Sequence, residues 1–162
     1  MDLTRLLVDI FRRQAEIERR IDGMVKQGPV AEVDPKAGTV RLRLGGTEEE
    51  PFLSPPVPYA QIAGAMKIHS PPSVGQQMTL ISGTGDFRQG LAVPMTWSNQ
   101  NAAPSDKGDE HVLTFGDCRI ELRGSEIVVK VPRIFFECEG STFELTGGGL
   151  KMAAPDYEFS QS

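Results

Sequence analysis

The last third of the chain, from about Asp109 to Phe159, alternates apolar and polar residues with a period of two. Successive side chains of a β-strand point to opposite faces, so each of these short runs has one apolar face and one wet face. Turns with Gly separate the runs, at Gly116-Asp117, Gly124-Ser125, Gly140-Ser141 and 147–149. The residues predicted to form an inward-facing core are Cys118, Ile120, Leu122, Ile127, Val129, Val131, Ile134, Phe136, Cys138, Phe143, Leu145 and Leu150.

A single ribbon of this kind buries only a thin apolar strip, and it needs partners to cover that strip. Several identical copies wound around an axis would supply them and would also remove exposed sheet edges. The pattern therefore predicts a multichain β-prism or β-helix over residues 109–162, a rigid rod with a mechanical role. The chain as a whole is predicted to be mainly β.

Residues 1–26 have the periodicity of a helix instead. The apolar positions alternate in steps of four and three, with the polar Gln14 at one a-type position of the heptad. This seam consists of Leu3, Leu7, Ile10, Ile17, Ile21 and Met24. Two interpretations remain open: a coiled coil, or an amphipathic helix docked on its own domain. Gly28-Pro29 is expected to end the helix.

Residues 27–98 are predicted to form a small β-barrel of the OB type. Asp34-Pro35-Lys36-Ala37-Gly38 has the composition of a tight turn between two strands. Further strands are expected at Gln77–Ser82 and Gln89–Trp97, with Trp97 in the core or at an interface, and Ile62–Ile68 is a further apolar segment. Five or so short strands in this length suit such a barrel. A polar linker is expected at residues 99–108.

Composition narrows the class of function. The 162-residue chain carries a formal net charge of −5, which argues against a dedicated nucleic-acid binder. No apolar stretch is long enough for a membrane span, and the N-terminus lacks the apolar block of a signal peptide. Its two cysteines, Cys118 and Cys138, are expected to be buried free thiols, although a bridge between copies stays open.

No motif indicates catalysis or a cofactor. The only histidines are His69 and His111, and neither has a nucleophile at a suitable offset. Gly83-Thr84-Gly85 lacks the Lys of a phosphate-binding loop and is interpreted as a hairpin turn. We therefore expect no enzyme activity, no cofactor and no metal bound by this chain alone.

Four segments stand out in order along the chain: the hairpin at 28–44, the Ser-Pro-Pro-Ser-Val-Gly-Gln-Gln stretch at 70–77, the turn and strand at 85–94, and Asn-Ala-Ala-Pro at 101–104. This ordered set resembles the baseplate assembly protein V family, the central spike of contractile phage tails and related injection machines. The likeness covers roughly residues 26–160. It implies a homotrimer, an OB-fold collar and a three-chain β-helix that punctures the host outer membrane. The trimer number comes from the resemblance.

The sequence departs from that family at its end. Well-studied members bind iron through a His-x-His pair at the apex, and no such pair is present here. Asp156 and Glu158 are interpreted as a solvated strand face. The hypothesis is a blunt shaft capped by a separate tip protein.

The expected role is a structural spike in the virion tail baseplate, assembled in the host cytoplasm. The expected partners are two sister copies, hub proteins above and the tip protein, with only mechanical contact to the outer membrane and no nucleic acid. Two alternatives remain: the equivalent spike of a tailocin or type VI-like secretion apparatus, and an OB-fold module that binds nucleic acid. The barrel segment has few Lys or Arg beside its aromatic residues, which disfavours the latter.

Overall fold

The structure is a computed structural model that describes residues 3–158. Those residues form one α-helix and twelve strands, and the strands pair antiparallel in three sheets. The chain divides into two compact units, residues 1–102 and 103–162, and the boundary falls inside the segment expected to be a linker. The prediction of a mainly β protein with an N-terminal helix is confirmed.

The elements of the first unit are α1 (Leu3–Met24), β1 (Val25–Asp34), β2 (Thr39–Gly46), β3 (Pro51–Leu53), β4 (Val57–Pro58), β5 (Gln77–Ile81), a 3-10 turn (Phe87–Gln89) and β6 (Leu91–Pro94). Helix α1 ends earlier than expected. Gly28 and Pro29 lie inside β1, because residues Val25–Pro29 pair with β5 and extended pairing takes over directly after the helix.

The last turn of α1 packs tightly on the turn after β5. A Cβ on Gly23 would lie 2.4 Å from the carbonyl oxygen of Gly85, so the backbones approach at a distance that a side chain would block. Gly85 itself has φ +75°, which favours glycine. The amide of Ser82 donates to the carbonyl oxygen of Met24 at 2.8 Å. These contacts join the end of the helix to the sheet.

The strands of the first unit close into a ring. The path β2–β1–β5–β6 is continuous, β3 and β4 both pair with β2, and Tyr59 bridges Ala92 of β6 in parallel. The amide of Ala60 donates to the carbonyl oxygen of Ala92 at 2.8 Å, which completes the connection. The ring agrees with a small β-barrel, while its assignment to the OB type stays a prediction.

Alternating positions of these strands fill the barrel. The buried apolar residues are Val30, Val40, Leu42, Val57, Tyr59, Met78, Leu80 and Ala92. The predicted turn before β2 is present: Oδ1 of Asp34 accepts from the amides of Lys36 and Ala37 at 3.0 and 2.9 Å. Gly38 takes φ +69° at its end.

The closing strand of the barrel is shorter than expected. The apolar segment 62–68 is a loop in which Ala63 makes one isolated bridge to Lys67. The closing strand is only four residues long, Leu91–Pro94. Trp97 lies beyond its end and is 66% exposed, so it is outside the core of the single chain, and its place at an interface stays a prediction. The pairing with β5 ends at Pro94, and beyond it the amide of Met95 still donates to the carbonyl oxygen of Gln77 at 3.2 Å.

The second unit contains β7 (Glu110–Phe115), β8 (Cys118–Arg123), β9 (Glu126–Lys130), β10 (Arg133–Cys138), β11 (Ser141–Thr146) and β12 (Gly149–Ala153). They form two three-stranded meanders, β7–β8–β9 and β10–β11–β12. Val131, expected to continue the alternation of Ile127 and Val129, follows the end of β9 and lies outside the strands. The predicted intertwining with other chains stays a prediction.

Two-residue turns link these strands. Gly116-Asp117 and Gly124-Ser125 are turns, as the sequence predicts. The next turn differs by one position: it is Glu139-Gly140, with φ values of +30° and +92°, because Cys138 pairs with Ser141. Both φ values are positive, which suits the right-handed twist of a hairpin.

Candidate assembly surface

One face of the β7–β8–β9 sheet is apolar and exposed. Directly paired residues share a face of a sheet, and the register pairs Leu113 with Ile120, Ile120 with Val129 and Leu122 with Ile127. This first apolar face consists of His111, Leu113, Phe115, Cys118, Ile120, Leu122, Ile127 and Val129. The exposed fractions reach 89% at Phe115 and 70% at Ile127. A single chain therefore leaves this face without cover.

The β10–β11–β12 sheet has a second apolar face of the same kind. Its residues are Ile134, Phe136, Cys138, Phe143, Leu145, Leu150 and Met152. The rings of Phe136 and Phe143 lie 5.9 Å apart and are tilted by 52°. Phe136 remains 64% exposed despite this contact. Aromatic and branched apolar side chains thus line both meanders on one side.

The opposite face of the first sheet is charged, and it contains the most buried side chain of this unit. Glu121 of β8 is 1% exposed. It forms ion pairs with Arg119, with Arg123 and with Lys130, the last at 3.2 Å. The Oε2 atom of Glu121 and Nε of Arg123 are buried without a hydrogen bond of good geometry to any described residue. The charged face is more enclosed than the apolar one.

The segment just before β7 covers this charged face. Nη1 of Arg119 donates to the carbonyl oxygen of Pro104 at 2.9 Å, and Oγ of Ser105 donates to Oε1 of Glu110 at 2.5 Å. Nε of Arg123 lies 3.2 Å from Oε2 of Glu110. Part of the segment expected to be a free linker is therefore docked on the sheet by specific polar contacts.

These contacts shift the ionisation of both carboxylates. The hydrogen bond from Arg119, helped by Lys130 and Arg123, lowers the pKa of Glu121 from 4.5 to about 2, against the opposing effect of burial. The hydrogen bond from Ser105 and the charges of Lys107 and Arg123 lower the pKa of Glu110. Both groups are therefore anionic at neutral pH.

The polar face of the second sheet is held by one cross-strand pair. Nε of Arg133 donates to Oε1 of Glu144 at 2.6 Å, and this bond lowers the pKa of the Glu144 carboxyl. The guanidinium of Arg133 also lies over the Phe135 ring, 4.5 Å from its centroid. Alternation thus gathers the charged side chains of the strands on one face of each meander, beside a few apolar residues such as Phe135.

The seam of the N-terminal helix is also uncovered. Leu3, Ile17 and Ile21 are 68%, 56% and 62% exposed, and Gly23 is the buried residue of α1. The interpretation of α1 as a helix docked on its own domain by this seam is wrong, because only the last turn packs on the barrel. Glu16 accepts hydrogen bonds from Arg19 and Arg20 at 2.8–2.9 Å, which lowers its pKa to about 2.

The structure places eleven of the twelve predicted core residues on these two apolar faces, and Val131 between them in sequence. In the single chain they are not buried, and Cys118 and Cys138 are exposed free thiols. The expectation of buried thiols is therefore wrong for one chain, and their burial in an assembly stays a prediction. Sequence reasoning left Leu113 and Phe115 out of the core, although their alternation with polar residues was the available signal.

The described residues contain no group of three or more His, Cys, Asp or Glu side chains placed to hold a metal ion. Between residues 3 and 158, no helix has the length and apolar character needed to cross a bilayer. Of the sequence end interpreted as blunt, residues 159–162 lie outside the described residues.

Comparison with known proteins gives one informative relative. No protein family model matches the chain. The chain is 26% identical over 141 residues to the spike protein of Escherichia phage P2, and the match covers 86% of this chain. It spans 57% of the length of that relative. This weak homology, over most of the chain, supports a phage spike-like protein.

Proposed function

We propose that the chain is the central spike of a contractile phage tail baseplate, acting as a homotrimer. The C-terminal sheets of three copies would wind together into a rigid β-helical shaft that is driven through the outer membrane when the sheath contracts. The proposal adds trimerisation, puncturing and baseplate location to the spike-like relationship described above.

The observation that carries the proposal is the inverted burial of the C-terminal unit. Phe115 is 89% exposed, while Glu121 on the opposite face is 1% exposed. Exposing contiguous large apolar side chains is unfavourable, by about 25 cal/mol for each Å² left in water. Copies of the same sheet would bury this face and leave the charged face outside. The homology to a phage spike supports this arrangement over an unrelated interface.

A rod of this kind suits force transmission. Strands from several chains that pair along one axis leave few free edges, so the shaft would unfold cooperatively rather than locally. Each chain would contribute a net charge of −5, so the assembly is strongly acidic. Such a surface is not attracted to anionic membranes, and entry into the membrane would depend on force. Hub proteins and a separate tip protein are the proposed partners, and no catalytic step is proposed.

The test is the mass of the full-length chain in solution by light scattering after size exclusion. The expected mass is about three times the 17.7 kDa of the chain. Leu113→Asp should make the trimer dissociate on dilution at concentrations where the wild type stays intact, because like charges would meet in a shared apolar core. Thr114→Asp is the matched control: it adds the same charge one residue later, on the opposite face, where Thr114 pairs with Arg119.

A wild-type monomer would overturn the proposal. So would a Leu113→Asp variant that resists dilution as well as the wild type does, since the apolar face would then not be the assembly surface. Negative-stain electron microscopy of the wild-type particle provides the second criterion, because a spike must be visibly elongated.

A further inference from the structure

Helix α1 leaves nearly all of its apolar surface in solvent. The exposed fraction is 40% or more for Leu3, Leu6, Leu7, Val8, Ile10, Phe11, Ile17, Ile21 and Met24. In proteins, most of the stability of an amphipathic helix such as this one of 22 residues comes from the packing of its apolar face. It needs a partner helix or groove, and the barrel of its own chain covers only the last turn.

The spacing of these residues defines a heptad register on the observed helix. Leu7, Gln14 and Ile21 occupy the a positions, and Leu3, Ile10, Ile17 and Met24 occupy the d positions. Such a stripe packs against another helix of the same kind by knobs-into-holes contacts. A polar residue at a single a position, here Gln14, sets register and the number of strands at some cost in stability.

Charge complementarity selects one orientation. In a parallel, in-register pair, the g position of one helix faces the following e position of its neighbour. This pairs Arg13 with Glu18 and Leu6 with Phe11. An antiparallel pair would bring g positions together, two of which are Arg13 and Arg20.

The two charged residues are available for that pairing. Arg13 makes no ion pair with a described residue. The Glu18 carboxylate accepts a hydrogen bond from Nε2 of Gln14 at 3.0 Å, and among the described residues it forms no ion pair. The other acidic residue of the middle of the helix, Glu16, is already paired with Arg19 and Arg20.

The apolar e and g positions indicate more than two helices. Leu6 and Phe11, 43% and 65% exposed, widen the seam on both sides in its N-terminal half. A two-stranded coiled coil leaves e and g positions at its wet margin, where charges are usual. A bundle of three or more helices buries more of these margins, and a broad apolar stripe suits it.

We propose that α1 pairs with α1 of other copies of this chain in a parallel, in-register bundle, which makes the helix a second oligomerisation element before the barrel. The inference rests on the proposed trimer, which would bring three copies of α1 within reach of one another. The occupant of the seam is thus a second and third copy, rather than a helix of a hub protein.

The test uses the full-length chain carrying Leu7→Cys, oxidised under mild conditions and digested with trypsin. Mass spectrometry should find a disulfide that links position 7 of one copy to position 7 of another. The identity of the peptide separates this link from any formed by Cys118 or Cys138. Arg12→Cys is the matched control at an outward f position, and the corresponding link should be lost. An antiparallel arrangement would place position 7 opposite a d position in the other half of the helix, such as Ile17 or Met24, and would also give no 7-to-7 link.

A second pair of variants tests the charge pairing. Arg13→Glu in the Leu7→Cys chain should lower the yield of the link, because two carboxylates would then face each other. Adding Glu18→Arg should restore the yield, which a helix docked in the groove of another protein would not do.

The outcomes separate this inference from the proposed function. A full-length trimer without the 7-to-7 link, or with equal links at positions 7 and 12, overturns the bundle and leaves the spike proposal standing. A monomer overturns both. A yield unaffected by Arg13→Glu overturns the parallel charge pairing.

Discussion

The barrel and the C-terminal sheets use the same alternation of apolar and polar residues, with opposite results for burial. In the barrel, Leu42 and Leu80 are completely buried. In the first C-terminal sheet, Leu113 is 68% exposed and the charged Glu121 is buried. The barrel closes on itself, so one chain covers its own apolar face. Each meander is a three-stranded sheet whose apolar side has no such cover. The alternation of apolar and polar residues therefore specifies which side chains share a face of a sheet. Which of the two faces is buried depends on what packs against the sheet.

The largest expected effect on stability comes from the same substitution, Leu to Ala, made in each of the two regions. Leu42→Ala should destabilise the barrel by about 2–5 kcal/mol, because it leaves a cavity in a closed core. Leu113→Ala should lower the denaturation midpoint most at low protein concentration, because the proposed assembly is what would bury its side chain. Urea denaturation followed by circular dichroism at several concentrations measures both.

The decisive observation for these two variants is whether the denaturation midpoint depends on protein concentration. If Leu113→Ala and wild type had midpoints that did not change with concentration, the apolar face would not be an assembly surface. Leu42→Ala relative to wild type provides the control for a purely intrachain loss.

The next effect concerns the buried charge. The folded pKa of Glu121, about 2, lies below its ordinary value of 4.5. Its contribution to stability is therefore fully present above pH 4.5 and is lost as the pH falls toward 2. Glu121→Gln should destabilise the protein at neutral pH, because Arg119, Arg123 and Lys130 would lose their shared partner. It should also flatten the fall in stability between those two pH values.

Denaturation midpoints at pH 6 and pH 3 check this prediction at a fixed protein concentration. Glu137→Gln is the control, since Glu137 is exposed on a strand of the other sheet. An acid response in Glu121→Gln as steep as that of wild type would contradict the assignment.

A smaller loss of stability is expected when a buried hydroxyl of the barrel is removed. Ser54 is fully buried; its Oγ accepts from the amide of Leu42 at 3.0 Å and donates to the carbonyl oxygen of Pro55 at 2.8 Å. Ser54→Ala should cost about 1–3 kcal/mol, because the Leu42 amide would lose its partner. The exposed Ser73→Ala should be close to neutral in the same thermal denaturation. Equal stability of the two variants would contradict this prediction.

The smallest expected effect tests a hairpin of the second sheet. Gly140 has φ +92°, so Gly140→Ala should cost about 1–2 kcal/mol per chain. Gly147 lies in another turn, without a positive φ and with open space around its Cα. Gly147→Ala should therefore be neutral or slightly stabilising, because it restricts the unfolded chain. Thermal melts of both variants give the comparison, and a larger loss at position 147 would be inconsistent with the turn assignment.

Local patterns predicted the elements well where the signal was short-range. The heptad steps predict α1, the Asp34–Gly38 composition predicts its turn, and the Gly turns at 116 and 124 mark the correct hairpins. Prediction failed where pairing decided the outcome: β1 begins before Gly28 because β5 is available to pair with it, and the closing strand stops before Trp97 because its pairing with β5 ends at Pro94. The third C-terminal hairpin turns one residue earlier than expected for the same reason.

The candidate surface was predictable as a set of alternating positions, but its environment was not. By itself, the sequence determined which side chains share a face, because the two-residue period of a strand is a local property. Only the tertiary structure decided that residues 104–107 dock on the charged face and bury Glu121, that the barrel closes through Tyr59 and Ala92, and that α1 leaves its seam exposed. These outcomes depend on contacts between residues distant in the chain, and the local alternation of side chains does not encode them.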